Sequence, residues 1–354
     1  MVPLVDLRRR HRRFEEAFVD ATRRVLDSGR VLFGDELAGL ECELGPRLHA
    51  AGAAPSEVVA VSSGAAALEL VMAALGIGPG DEVIVPAFTA VPTASAVCAV
   101  GAVPVPVDVD ADTAALDPDA VAAAVTARTA AIVVVHLYGR PAPMTELLRL
   151  GVPVIEDAAQ AHGALDDVSG VAAAYSFYPT KNLGGIGDGG AVVTTDAGLA
   201  ASVRRRRAHG ADRHYVHVDV SQNHRMSELE AAWLRLQTPT LREDNERRRA
   251  IARQYRVAAP HLRWQADHDR HVVHQCVVRV DDRDEFRAAL AERGVETGVH
   301  YPLALTQQPA YEQFAIHRCV ESERWAAECV SLPCFPELTD DEVVCVVGAL
   351  ADME

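Results

Sequence analysis

Lysine is almost missing from this chain. Of 354 residues, 34 are Lys or Arg, and only Lys181 is a lysine. Arg supplies solubility and ion pairing as well as Lys does, but its guanidinium keeps its proton and is no nucleophile. Side-chain amine chemistry is therefore confined to one position. One reading of Lys181 is the survivor of a drift toward Arg. The other is a Schiff-base lysine, whose pKa burial or a neighbouring cation lowers. Other shortages exclude further classes. No apolar run approaches the length of a membrane span. The seven Cys are odd in number and form no Cys-x-x-Cys pair. That argues against a disulfide framework or structural zinc and makes a reducing cytoplasm the expected location. There is no His-Glu-x-x-His, Gly-x-Ser-x-Gly or Walker sequence, and no metal is expected. The first residues, Met1 to Asp6, do not read as a signal peptide.

What is present is acidic and globular. A net charge of -16 and a pI near 5.3 argue against nucleic acid or anionic membrane as partners. Short apolar runs at 58–61, 82–86, 103–107, 131–135, 152–155 and 191–194 read as buried strands. Ala-rich helical stretches lie between them, including 117–127 and 143–149. The alternation predicts an α/β fold, an open and mostly parallel sheet with helices on both faces. Residues 14–29 predict a helix stopped by Gly29, and 239–257 a charged, solvated connecting helix rather than a binding patch. Beyond it, strands at 276–280 and 295–301 and capped helices after Asp282 and Thr339 predict a smaller α+β domain. The expected division is a large domain at 1–240 and a small one at 241–354.

Ligands of such sheets sit beyond the carboxyl ends of the strands. Ser63 follows one strand, at a Gly-containing turn into a helix whose free N–H groups suit an anion. Asp157 ends another, where a carboxylate can hold a protonated ring nitrogen such as that of pyridoxal phosphate; alone, a strand-end Asp also serves as a helix cap. Gln160 can donate to a phenolate, or simply face solvent. Gly185-Ile186-Gly187-Asp188-Gly189-Gly190 matches G-x-G-x-x-G, but a strand follows it rather than a helix. The glycines therefore read as a tight path around Lys181 and not as a dinucleotide loop.

These segments, taken in order, resemble the pyridoxal-phosphate-dependent sugar aminotransferases of the DegT/StrS type. The marks include Ser62-Ser63-Gly64, Gly80-Asp81-Glu82-Val83-Ile84-Val85-Pro86, His136-Leu137-Tyr138-Gly139, Ile155-Glu156-Asp157-Ala158-Ala159-Gln160-Ala161-His162-Gly163, Ser176-Phe177-Tyr178-Pro179-Thr180-Lys181-Asn182, Asn223-His224-Arg225-Met226 and His300-Tyr301-Pro302. The resemblance implies the aspartate-aminotransferase (type I) fold, with a seven-stranded sheet. It implies pyridoxal 5'-phosphate bound to Lys181 and paired through its ring nitrogen with Asp157. Gln160 would face the phenolic oxygen. The Ser63-Gly64-Ala65 turn and Ser176 would hold the phosphate. Asn223 would reach the cofactor of a second subunit, making a homodimer with shared sites, and His300, Tyr301 and Arg225 would lie at the substrate. Two positions depart from the pattern. Ala65 stands where a Thr is common, and Ala90 where an aromatic ring usually stacks on the cofactor, leaving Phe88 as a substitute. The implied reaction moves an amino group from glutamate or glutamine to a keto group of a nucleotide-linked sugar. A cyclitol ketone is the alternative acceptor, and a pyridoxal-phosphate-binding sensor without turnover the alternative class.

Overall fold

Seven strands form the central sheet: β1 (Glu57–Val61), β2 (Glu82–Pro86), β3 (Val103–Val107), β4 (Thr129–Val135), β5 (Val154–Asp157), β6 (Ala172–Ser176) and β7 (Gly190–Thr194). The computed structural model describes residues 1–49 and 56–353. The strand order is β3-β2-β4-β5-β6-β7-β1, and only β7 runs antiparallel to its neighbours. Alternate residues serve opposite layers. Val59 and Val61 pack with one apolar cluster, and Val58 and Ala60 with the other. A strand buried on both faces needs apolar residues at every position, which is why these runs are continuous rather than alternating.

The helices α1 (Leu7–Ser28), α2 (Asp35–Leu48), α3 (Gly64–Ala74), α4 (Pro92–Ala99), α5 (Pro118–Ala124), α6 (Met144–Leu148), α7 (Ala197–Arg206), α8 (Glu228–Gln237) and α9 (Leu241–Ala258) surround the sheet or lead away from it. Gly29 ends α1 with φ 66°, as the sequence predicts. The sequence gives no sign of β6. Its Ala172-Ala173-Ala174 run favours helix, but pairing with β5 and β7 and burial on both faces override that preference.

A second sheet of three strands, β8 (Arg263–Trp264), β9 (Cys276–Arg279) and β10 (Cys329–Leu332), lies in the later part of the chain with helices α10 (Arg283–Glu292), α11 (Val320–Glu328) and α12 (Asp340–Ala351). Thr339 and Glu342 form the predicted capping box. The expected strand at 295–301 is not one. It makes only two isolated bridges, Val295 to Val2 and Gly298 to Ser331, because it crosses between the start of the chain and β10. Val2 itself joins the apolar cluster built from Ile251 to Leu350. The charged helix α9 also departs from expectation. One face buries Asn245, Arg248, Ile251 and Tyr255, and only the rest is solvated. No helix among the described residues is long and apolar enough to cross a membrane.

Candidate active site

The carboxyl ends of five strands converge on one cavity of about 360 Å³. Ser63, Gly64 and Ala65 come from the end of β1, Thr89 and Ala90 from β2, and Val135 from β4. Asp157 ends β5, Ser176 ends β6, and Lys181 follows in the next loop. The volume falls within the ~300–1,000 Å³ usual for a small-molecule site. Gln160 also lines it, so seven of the predicted site residues share one wall-to-wall space.

Each group is held for a reason. Ser63 caps α3 by accepting from the Ala66 N–H at 3.0 Å. The N–H groups of Gly64 and Ala65 lie in the first turn, where no intrahelical partner exists. A Cβ on Gly64 would come within 2.6 Å of the Ser176 Cβ, so only glycine lets the helix end approach that hydroxyl. Asp157 is 6% exposed. Burial raises its pKa, while the Thr93 hydroxyl, the Ala159 N–H and Lys181 oppose the rise. Burial lowers Lys181 to about 8, with the Asp157 charge pulling the other way. A usable fraction of its amine is thus unprotonated near neutral pH.

The lysine loop is pinned on every side. Arg10 donates to the carbonyls of Pro179 and Lys181 at 2.9 and 3.0 Å. Asn182 donates to Asn245 Oδ1 at 2.7 Å and to the Val272 carbonyl. Trp233 Nε1 and Gln237 Nε2 both donate to the Gly184 carbonyl. Glu230 accepts from the Gly187 N–H, and a side chain on Gly185 would collide with that carboxylate. The glycines therefore allow close approach to α8, and neither Gly184, Gly185 nor Gly187 has positive φ. Arg10, Asn245, Trp233 and Glu230 went unread in the sequence because they lie on α1, α8 and α9, far along the chain from the loop they hold.

The DegT/DnrJ/EryC1/StrS aminotransferase family matches residues 12–351. The chain belongs to this family. It is 41% identical to the dTDP-3-amino-3,4,6-trideoxy-alpha-D-glucose transaminase of Streptomyces venezuelae, over 99% of this chain and 96% of that protein. The structure of S. venezuelae DesV in complex with a ketimine intermediate superimposes with a TM-score of 0.93 at 40% identity, covering 99% of this chain and 98% of that one. NtdA from Bacillus subtilis, solved with bound cofactor PMP, gives 0.91 at 30% identity, covering 99% and 84%. The fold is thus the type I fold of pyridoxal-phosphate enzymes, and the chain is a pyridoxal-phosphate-dependent aminotransferase.

The cavity of this aminotransferase fits its cofactor. A helix N-terminus with free N–H groups beside a serine hydroxyl suits a phosphate dianion. A buried carboxylate and a depressed lysine in the same cavity suit a protonated ring nitrogen and an aldehyde carbon.

Not every expected residue lines the cavity. Phe88 does not cover it. Its ring is fully buried against Tyr138, Trp325 and Tyr301, because alternation at the end of β2 turns it away. Ala90 and Pro92 line the cavity instead and give it an aliphatic surface there. Tyr301 stands one shell back, its hydroxyl 3.1 Å from Gln160 Nε2. Gln160 Oε1 meanwhile accepts from the Tyr138 N–H at 2.7 Å. His300 bonds Ser331 Oγ and opens on a separate cavity of about 70 Å³. Asn223 is exposed and accepts from Arg225 Nε at 2.8 Å, and neither residue lines the Lys181 cavity of its own chain.

Proposed function

We propose that this enzyme transfers an amino group from glutamate or glutamine to a ketone on a nucleotide-linked sugar. The observation that carries the chemistry is the single lysine, depressed to about 8, sharing a strand-end cavity with a buried aspartate and a helix N-terminus. The sugar nucleotide rests on the named activity of the S. venezuelae relative. Bound here, pyridoxal phosphate supplies an aldehyde for amine capture and a ring that accepts the electrons of a breaking C–H bond. The chain supplies the rest. Lys181 Nζ holds the cofactor between turnovers. Once the donor amine has freed it, Nζ would take up the proton leaving the donor carbon. Asp157 keeps the ring nitrogen protonated. Gly64, Ala65 and Ser176 bind the phosphate, and Gln160 donates its remaining N–H to the phenolic oxygen. Over the full reaction the donor would become a 2-oxo acid and the sugar ketone an amine, with one amino group exchanged for one carbonyl oxygen. The account is tested by adding glutamate or glutamine to loaded enzyme and following conversion to pyridoxamine phosphate. Keto-sugar nucleotides and inososes are then offered as acceptors. Amination of inososes alone would move the acceptor to the cyclitol class, and no conversion with either donor would overturn the proposal.

The site is shared across a two-fold dimer in this account, with Asn223 reaching the phosphate of the neighbouring subunit. Its exposure and its absence from its own chain's cavity fit that role. So do the apolar side chains of Tyr178 and Ile186, 53% and 43% exposed beside the lysine loop. Mixing a Lys181→Ala chain with an Asn223→Asp chain gives hetero-dimers with one intact site. Activity should return toward about half per mixed dimer. If hetero-dimers form and stay inactive, Asn223 acts within its own chain.

A further inference from the structure

The Asp157 carboxylate does not stand alone in its pocket. Thr93 Oγ1 donates to Oδ2 at 2.8 Å, and the Ala159 N–H donates to Oδ1 at 3.1 Å. Behind Thr93, the Thr89 hydroxyl lies 3.2 Å away. Both threonines are buried, 1% and 3% exposed. The direction of this chain follows from chemistry. An ionised carboxylate can only accept, so Thr93 spends its one proton on Asp157. The contact between the two hydroxyls then needs Thr89 as donor. The geometry comes from the turn at the end of β2. Thr89 and Thr93 are four residues apart at the entry to α4, which starts at Pro92, and both line the cavity that Asp157 enters from the end of β5.

We propose that Thr93, backed by Thr89, is a positioning residue that fixes the Asp157 carboxylate as an anion facing the cofactor ring nitrogen. In a desolvated site a carboxylate and a protonated pyridine have two arrangements. One is an ion pair. The other is a neutral pair in which the carboxyl has taken the proton. Each donor on the carboxylate favours the first, because hydrogen bonds to a charged acceptor are stronger than those to a neutral one. Thr93 and Ala159 give one donor to each oxygen, which also fixes the plane of the group. Without the Thr93 hydroxyl, burial would push the proton onto Asp157 and leave a weaker electron sink.

The inference rests on the reading that Asp157 pairs with the ring nitrogen, and its test separates the two. Protein is reconstituted with pyridoxal phosphate labelled with ¹⁵N in the ring, and the nitrogen shift is followed against pH. The parent should show a protonated ring nitrogen. Thr93→Val, which keeps shape and removes the hydroxyl, should move the shift toward the unprotonated value and slow conversion by glutamate roughly ten- to a hundred-fold. Thr93→Ser should restore both. Thr89→Val, which leaves the Thr93–Asp157 bond in place, should act in the same direction by only a few-fold, and it decides the matter should Thr93→Val not fold. A parental shift and rate in both valine variants would overturn the inference while leaving Asp157 in its role. An unprotonated nitrogen in the parent would overturn the Asp157 reading and this inference with it.

Discussion

Lys181→Arg should fold and turn over less than about a thousandth as fast as the parent enzyme. The loop that carries residue 181 is held by contacts that do not involve its amine. Arg10 binds the Lys181 carbonyl, and Asn182 is fixed by Asn245 and Val272. The side chain can therefore change without releasing the backbone. What is lost is an amine that can shed its proton. Burial brings Lys181 down to about 8, whereas a guanidinium in the same place stays charged. With no other lysine in the chain, no neighbour can take over. A parental thermal transition together with absent turnover is the expected pair of results. Measurable turnover in the arginine variant would mean that the amine is not essential.

Asp157→Asn should cost on the order of 10³-fold in the rate of amino transfer while preserving cofactor binding. The amide keeps the size of the group and accepts the Thr93 and Ala159 bonds at its oxygen only in part. It removes the negative charge that stabilises a protonated ring nitrogen. The loss should appear in the half-reaction with glutamate, before any sugar is added, and it should not be rescued by more cofactor. A variant within about ten-fold of the parent would assign the ring nitrogen to another partner.

Much of this site is legible in the sequence because its residues sit at strand ends within short motifs. Ser63-Gly64, Asp157, Gln160, Ser176 and Lys181 all meet in the cavity. Three kinds of feature are not legible. Strand β6 hides in an alanine run, since its conformation is decided by neighbours rather than propensity. The support of the lysine loop comes from Arg10, Trp233 and Asn245, whose partners are backbone carbonyls or side chains over 45 residues away. For Phe88 strand alternation points away from the cavity, but the aromatic cluster of Tyr138, Trp325 and Tyr301 that receives its ring is drawn from distant segments. The hydroxyl chain from Thr89 to Asp157 is half visible: the four-residue spacing of two threonines is there, but the carboxylate that it serves is 64 residues on from Thr93.

The central claim is that Lys181 forms the covalent bond to the cofactor. Borohydride reduction of the loaded enzyme, followed by proteolysis and mass mapping, reads that bond directly. The account predicts one pyridoxyl group per chain, on the peptide containing Ser176-Phe177-Tyr178-Pro179-Thr180-Lys181. Label on the α-amine of Met1, or no label on any peptide, would contradict it.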